Sequence, residues 1–238
     1  ECGCPGPAAQ ALAAPAPQRA LCNAGGAGTT DRGTPSLPPN RGLSSVAQPV
    51  IGSPLQTQRL LLRPLDPDDA RLLLDYVQEN RDWLAPWEPA RPPGYFSLEG
   101  QRNILYQCLD DRRNETGVLF GVFERTQDAA PLCGRLSVSG IVRGIWQNGF
   151  VGYSIAQGKA SRGYMTEALR RAVLYGFGEL GLHRLQASII PRNAASLRVA
   201  QKSGFRHEGR ALRYLKIDQT WEDHDIFAIQ RSLALKEG

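Results

Sequence analysis

The chain has 238 residues, a formal net charge of +5 and a pI near 9.1, with acidic and basic residues interspersed. No apolar run reaches the length of a membrane span. The mild basicity suits an anionic cofactor or a ribosomal neighbourhood but does not by itself indicate nucleic-acid binding. Five Cys are present, three in the first 22 residues and two isolated as Cys108 and Cys133, with no CxxC pair. That spacing argues against zinc and against a disulfide framework, and it suits a reducing cytoplasm.

Residues 1–52 contain no Phe, Trp, Tyr or Lys, and half of them are Ala, Gly or Pro. Such a segment buries too little apolar surface to offset its ordering entropy, so a disordered leader is expected there. It has no basic start followed by a leucine-rich core, so a signal peptide is not expected. The remaining stretch, 53–238, is about 185 residues, the size of one domain.

That domain opens with "LQTQRLLLRPL" (55–65), a strand. "DPDD" then offers Asp66 as N-cap and Pro67 at the first helical position, and Ala70, Leu73, Leu74 and Val77 continue at helical spacing. The Pro-broken aromatic run at 82–95 reads as a loop, and 97–113 as a second helix. Strands are expected at 117–124, 131–143 and 149–157, the first two joined as an antiparallel hairpin by "RTQDAA". Met165, Ala168, Leu169, Ala172, Val173 and Gly176 share one helical face over 163–180, with Gly181 as a stop. A strand at 183–190, a helix at 194–204 and two strands around the turn Asp218-Gln219 complete the chain. The order is β-α-α-β-β-β-α-β-α-β-β. Hairpins and a β-α-β unit coexist, so the class is α/β (α+β) with a mixed, mostly antiparallel central sheet flanked by helices.

The segment "VGYSIAQGKASRGYMTEALRR" (151–171) runs strand, small basic loop, helix. Gly158-Lys159 resembles a P-loop, but the earlier Gly152 is one residue too far away, and Ala160 stands where Ser or Thr must ligate magnesium. Gly152-Tyr153-Ser154-Ile155-Ala156 resembles a nucleophile elbow, but Ser154 lies inside a strand. A third reading remains. Unpaired N–H groups at the start of the helix form an anion cradle, which small residues let a phosphate approach and to which Lys159 and Arg162 add charge.

This segment resembles the acyl-CoA-binding signature of the GCN5-related N-acetyltransferases (GNAT), Q/R-x-x-G-x-G/A before a helix. The register falls on Gly158, Ser161 and Gly163, with Gly158 replacing the usual Gln or Arg and Ser161 the middle Gly. Downstream, "IIPRNAASLRVAQKSGFRHEG" matches a second signature, N-x-x-S before a helix ending in GF. Many members carry a Tyr seven residues after that Asn, where this chain has Ala200; a subgroup uses the Ser of N-x-x-S, here Ser196. "ENRDWLAPWEP", "IVRGIWQNGFVGYSIAQ", "LHRLQASIIPRN" and "IDQTWEDHDI" together resemble the RimJ type of ribosomal-protein-alanine N-acetyltransferase, over residues 57 to 231.

The resemblance implies a GNAT fold and acetyl transfer from acetyl-CoA, without metal, to an amine. Its acceptor would be the N-terminal α-amino group of a protein, expected to be a ribosomal protein beginning with Ala, in the cytoplasm. A monomer or homodimer is expected, with no direct contact to nucleic acid or membrane. A small-amine acetyltransferase and a non-catalytic acyl-CoA-binding module are the alternatives. Cofactor contacts are expected from Ile155, Ala156, Gln157, Gly158, Lys159, Ala160, Ser161, Arg162, Gly163, Met165, Thr166, Asn193 and Ser196. Backbone N–H groups at 155–157 would hold the thioester carbonyl oxygen, and Ser196 would donate a proton to the leaving thiolate.

Acceptor-side candidates are Trp87, Glu88, Trp146 and Tyr214, with Trp83 beside them. Glu88, between Trp87 and Pro89, is the candidate base, on the expectation that burial raises its pKa; the competing role is a hydrogen-bonded loop anchor. Glu167, in the first helical turn, suits dipole or capping support. His183 and His207 fit packing or solvated positions, and strand alternation separates the members of "EDHD" (222–225) onto two faces. An α-amino group of pKa about 7.8 costs about 1 kcal/mol to deprotonate at pH 7, against about 4.6 kcal/mol for a lysine, so an N-terminal acceptor tolerates a weak base.

Overall fold

A computed structural model describes residues 51–125 and 131–231. The expected leader, except for its last two residues, and most of the "RTQDAA" connection lie outside the described residues. Ile51 packs against the core, and the Gly52 N–H donates to the Tyr175 hydroxyl at 2.9 Å.

Among the described residues eight strands form one sheet: β1 (Leu55–Gln56), β2 (Leu60–Pro64), β3 (Val118–Glu124), β4 (Gly134–Val142), β5 (Asn148–Ile155), β6 (Arg184–Ile189), β7 (Arg206–Ile217) and β8 (Thr220–Gln230). Their spatial order is β1-β2-β3-β4-β5-β6-β8-β7, and only β5 and β6 pair in parallel. The helices are α1 (Ala70–Glu79), α2 (Arg81–Leu84), α3 (Leu98–Arg113), α4 (Tyr164–Gly178) and α5 (Ala194–Lys202). The class and the element order agree with the sequence reading in all but two places. The single strand expected at 55–65 is two short antiparallel strands, because the Thr57 hydroxyl turns the chain by bonding Leu60. The loop expected at 82–95 contains α2 and two turns of 3-10 helix, at Ala85–Trp87 and Pro93–Phe96.

Strand alternation divides the core in two. On one face Phe120, Leu136, Val151, Leu185 and Ile189 pack under α4 and α5. On the other, Leu119 and Phe123 pack with Leu73, Leu105 and Tyr95 under α1 and α3. A Cβ on Gly176 would stand 2.8 Å from Leu185, so this glycine lets α4 lie close on the sheet. The turn Asp218-Gln219 has φ of 40° and 68°, the left-handed pair that matches the twist of a two-residue hairpin. No helix among the described residues is long and apolar enough to cross a membrane.

Candidate active site

The parallel strands β5 and β6 pair only at Asn148–Arg184, Gly149–Leu185 and Phe150–Gln186. Beyond that point β5 keeps only β4 as partner, and β6 only β8. The strands splay, and a cleft of about 570 Å³ opens between them. Ala156 N–H bonds the Cys133 carbonyl at the head of β4, at 2.7 Å. Alternation then turns the N–H groups of Tyr153 and Ile155 the other way, into the gap that β6 has left. The Ile155 carbonyl, on the same side, accepts from the Trp83 indole at 3.1 Å.

This geometry corrects the expected carbonyl-binding set. Of Ile155, Ala156 and Gln157, only Ile155 keeps an N–H that bonds nothing among the described residues. That of Ala156 is taken by β4, and that of Gln157 by the buried Asn80 side chain at 2.8 Å. Asn80 lies 77 residues away in sequence, and its other end is fixed by the Tyr76 carbonyl. Nothing in the local sequence announces that contact.

After β5, residues Gln157–Lys159 form one 3-10 turn, whose bonds occupy the N–H groups of Lys159 and Ala160. No hydrogen bond is made, among the described residues, by the N–H groups of Gly158, Ser161, Arg162, Gly163, Tyr164, Met165 and Thr166; the first helical bond runs from Glu167 N–H to the Gly163 carbonyl. Free N–H groups and a helix start form a cradle suited to an anion. Ser161 and Gly163 sit at φ of 61° and 78°, the left-handed region. Two anchors hold the cradle. Glu167 accepts from the Thr57 hydroxyl at 2.6 Å and the Arg59 N–H at 2.9 Å, and Arg59 also donates to the Arg162 carbonyl at 3.1 Å. Lys159 is paired with Glu124 at 2.7 Å, so its charge is shared with a carboxylate; Arg162 forms no ion pair among the described residues.

Ile155, Met165, Asn193 and Ser196 line the cleft, as do Trp87, Glu88 and Tyr214. Trp146 does not. It sits in the β4–β5 turn, beyond the opposite end of β5, a strand that runs about 23 Å from there to Ile155. Ser196 lies in the first turn of α5, where the Asn193 side chain caps its N–H at 3.0 Å. Its carbonyl accepts from the Tyr153 hydroxyl, also at 3.0 Å.

The expectation of a raised pKa at Glu88 is overturned. Burial pushes the carboxyl up, but the guanidiniums of Arg135 and Arg91 outweigh it and hold the group below the usual carboxylate range. Arg135 is buried on β4 and also reaches Ser154 and Tyr95, each at 3.1 Å. Glu88 is therefore an ionised anchor of the segment carrying Trp87. Arg135 was legible only as a charged residue inside an apolar strand run. Arg192 was missed as well. It stacks on Trp87 at 5.4 Å and pairs with Glu222 at 3.0 Å, tying the two rims of the cleft together.

His224, dismissed with "EDHD", is a cleft wall. Register puts Ser154 and His224 on the face away from α5, with Arg135 and Ser188. The cleft thus passes through the sheet, joining the side of the cradle and Ser196 to the side of Glu88 and His224. No three His, Cys, Asp or Glu side chains among the described residues group as metal ligands.

Residues 59–206 match the family model described as an acetyltransferase (GNAT) domain. A Bacillus subtilis protein named as a probable N-acetyltransferase, YjcK, is 38 % identical over 175 residues, 74 % of this chain and 96 % of its own. The Escherichia coli [ribosomal protein uS5]-alanine N-acetyltransferase is 35 % identical over 175 residues, 74 % of this chain and 89 % of its own. Mycobacterium smegmatis RimJ, solved in complex with CoA-disulfide, superposes with a TM-score of 0.69 at 26 % identity, covering 76 % of this chain and 87 % of that one.

Proposed function

The chain belongs to the GNAT acetyltransferase family and is an acetyl-CoA-dependent N-acetyltransferase, and from that premise we propose that it acetylates the N-terminal α-amino group of a protein, a ribosomal protein beginning with Ala. The observation that carries this reading is the through-sheet cleft, with an anion cradle on one side and an open aromatic mouth on the other.

The cradle of free N–H groups at Gly158 and Ser161 to Thr166 fits a pyrophosphate, and Gly158 has open space where a side chain would stand. Acetyl-CoA, held there, supplies an acetyl group activated as a thioester. Ile155 N–H, turned into the cleft, is placed to stabilise negative charge on the acyl oxygen. Ser196, on the same side of the sheet as the cradle, is the proton donor for the leaving sulfur. Met165, with Asn193 holding Ser196 in place, completes that wall.

On the other side the mouth lies between the α2 segment and the β7–β8 hairpin. Trp87 and Tyr214 wall it, and Trp83 and Trp221 flank it with exposures of 37 % and 58 %. An open groove of this kind admits a chain end better than it encloses a small metabolite. The anchored carboxylate of Glu88 holds its proton too weakly to serve as a strong base, which favours an acceptor of low pKa. An α-amino group, near 7.8, meets that condition and a lysine does not. The E. coli relative's acceptor, the alanine of uS5, supports the same class. A cytoplasmic site of action follows from such an acceptor.

The test is incubation with acetyl-CoA and two panels, peptides beginning with Ala or Ser and small amines. Transfer to the peptide α-amine is the expected result. Transfer to small amines alone sinks the reading, and CoA binding without any transfer points to a non-catalytic module.

A further inference from the structure

His224 is a titratable side chain in the cleft that the reading above leaves without a role. It is 2 % exposed, yet it forms part of the cleft wall. Its Nδ1 lies 3.1 Å from the Glu222 carbonyl oxygen. A carbonyl only accepts, so Nδ1 carries the ring proton, and the neutral ring keeps its lone pair on Nε2. Nε2 makes no hydrogen bond among the described residues and is not one of the sealed polar atoms, so the lone pair opens to the cleft. Tyr214 packs edge-on against the ring at 5.8 Å and fixes its plane. Pairing of Ile226 with Ser188 puts His224 on the face of the sheet away from Ser196, where the amine enters.

We infer that His224 is the proton acceptor for the incoming amine. This rests on amine acetylation as proposed above. An acceptor arriving as R–NH3+ gives one proton to Nε2; the N–H bond breaks, its electron pair stays on nitrogen, and the ring becomes imidazolium. That proton then passes to water. The second proton that the nitrogen loses on becoming an amide balances the one needed by the leaving sulfur.

The groups around the ring are Glu222 and Asp223 on β8, Arg192 after β6, Tyr214 and Lys216 on β7, and Glu88 on the cleft wall. Burial lowers the ring's pKa below 6.5; the Glu222 carbonyl and the charges of Glu222 and Asp223 oppose this without reversing it. The ring is therefore neutral, and ready to accept, at pH 7.

The experiment is a pH profile of kcat/KM for the acceptor, in wild type, His224→Asn and His224→Gln. Asn retains a donor for the Glu222 carbonyl but has no basic nitrogen. Wild type is expected to inflect below pH 6.5, whichever acceptor is used. The variants must capture amine that is already neutral, so their inflection moves to the acceptor's own pKa, about 7.8 for an α-amine, with a loss of about sevenfold at pH 7 that closes above pH 8.5. A loss that is uniform with pH overturns the inference, as does an unchanged profile. Should a variant fail to melt cooperatively, wild type decides with peptides of different α-amine pKa: an inflection that tracks the acceptor overturns the role of His224. If wild type acetylates small amines only, the N-terminal reading falls, and the same profile with such an amine still judges His224.

Discussion

Arg135 on β4 and Glu88 beyond α2 form an ion pair that is buried on both sides, with side-chain exposures of 6 % and 12 %. It ties the sheet to the segment carrying Trp87, across 47 residues of sequence. Removing one partner of such a pair leaves an uncompensated buried charge, so Glu88→Ala is expected to cost about 3–5 kcal/mol in urea unfolding. The pH dependence follows from the direction of the shift. Burial raises the Glu88 pKa, the two arginines outweigh it, and the net value in the folded chain lies below the ordinary one. The pair's stabilisation is therefore complete above pH about 4.3 and is lost as pH falls through the lower folded value. The stability gap between wild type and Glu88→Gln should narrow as pH drops below about 4.3.

Ser161 occupies the left-handed region at φ 61°, where a side chain costs about 1–2 kcal/mol relative to glycine. The family signature commonly has glycine at this position, and the backbone here shows the reason. Ser161→Gly should raise the melting temperature by about 2–4 °C per kcal/mol recovered, measured by calorimetry. Acetyl-CoA affinity should not fall, because the N–H that faces the cradle is retained.

Local pattern was enough for the elements whose causes are local. The apolar stripe from Met165 to Gly176 is a helical period, and Asp218-Gln219 is a hairpin turn by residue type. The anion cradle was legible for the same reason, since a strand, a run of small residues and a helix start are contiguous. What escaped was set by distant partners. Gln157 N–H looked free until Asn80 reached it, and Glu88 looked like a base until Arg135 and Arg91 surrounded it. His224 was set aside with "EDHD" because alternation tells which face a residue takes, but not that β5 and β6 part beside it. Trp146 failed as a groove residue because an aromatic in a turn carries no sign of which end of the strand holds the site.

Lys159 and Glu124 are paired at 2.7 Å beside the cradle. The hydrogen bond to Lys159 is the leading cause holding the Glu124 pKa down, so the carboxylate is charged at neutral pH. An anion in the cradle then meets an ammonium already shared. Glu124→Gln releases that charge and removes a repulsive one, and the KM for acetyl-CoA should fall by about two- to fivefold at low salt. The gain should fade as ionic strength rises, since the site is near solvent. An unchanged KM across salt concentrations would place Lys159 away from the bound phosphates.

Ser196 is positioned twice over, by the Asn193 cap on its N–H and by the Tyr153 hydroxyl on its carbonyl, and burial pushes the Tyr153 phenol too high to ionise. Its own hydroxyl is left to the cleft. A thiolate is a tolerable leaving group, because a thiol pKa near 8.5 makes its net protonation favourable at pH 7, whichever group relays the proton from solvent. Loss of the hydroxyl therefore falls at the lower end of acid catalysis, and Ser196→Ala should reduce kcat by about a hundredfold. The KM for acetyl-CoA should stay within about twofold, since the backbone of α5 and the cradle are untouched. Asn193→Ala acts differently. It removes a helix cap worth about 1 kcal/mol, lowering the melting temperature, and it lets Ser196 drift, lowering kcat as well. A Ser196→Ala enzyme with wild-type kcat, measured with saturating peptide and acetyl-CoA, removes the assigned proton donor and leaves water to protonate the sulfur.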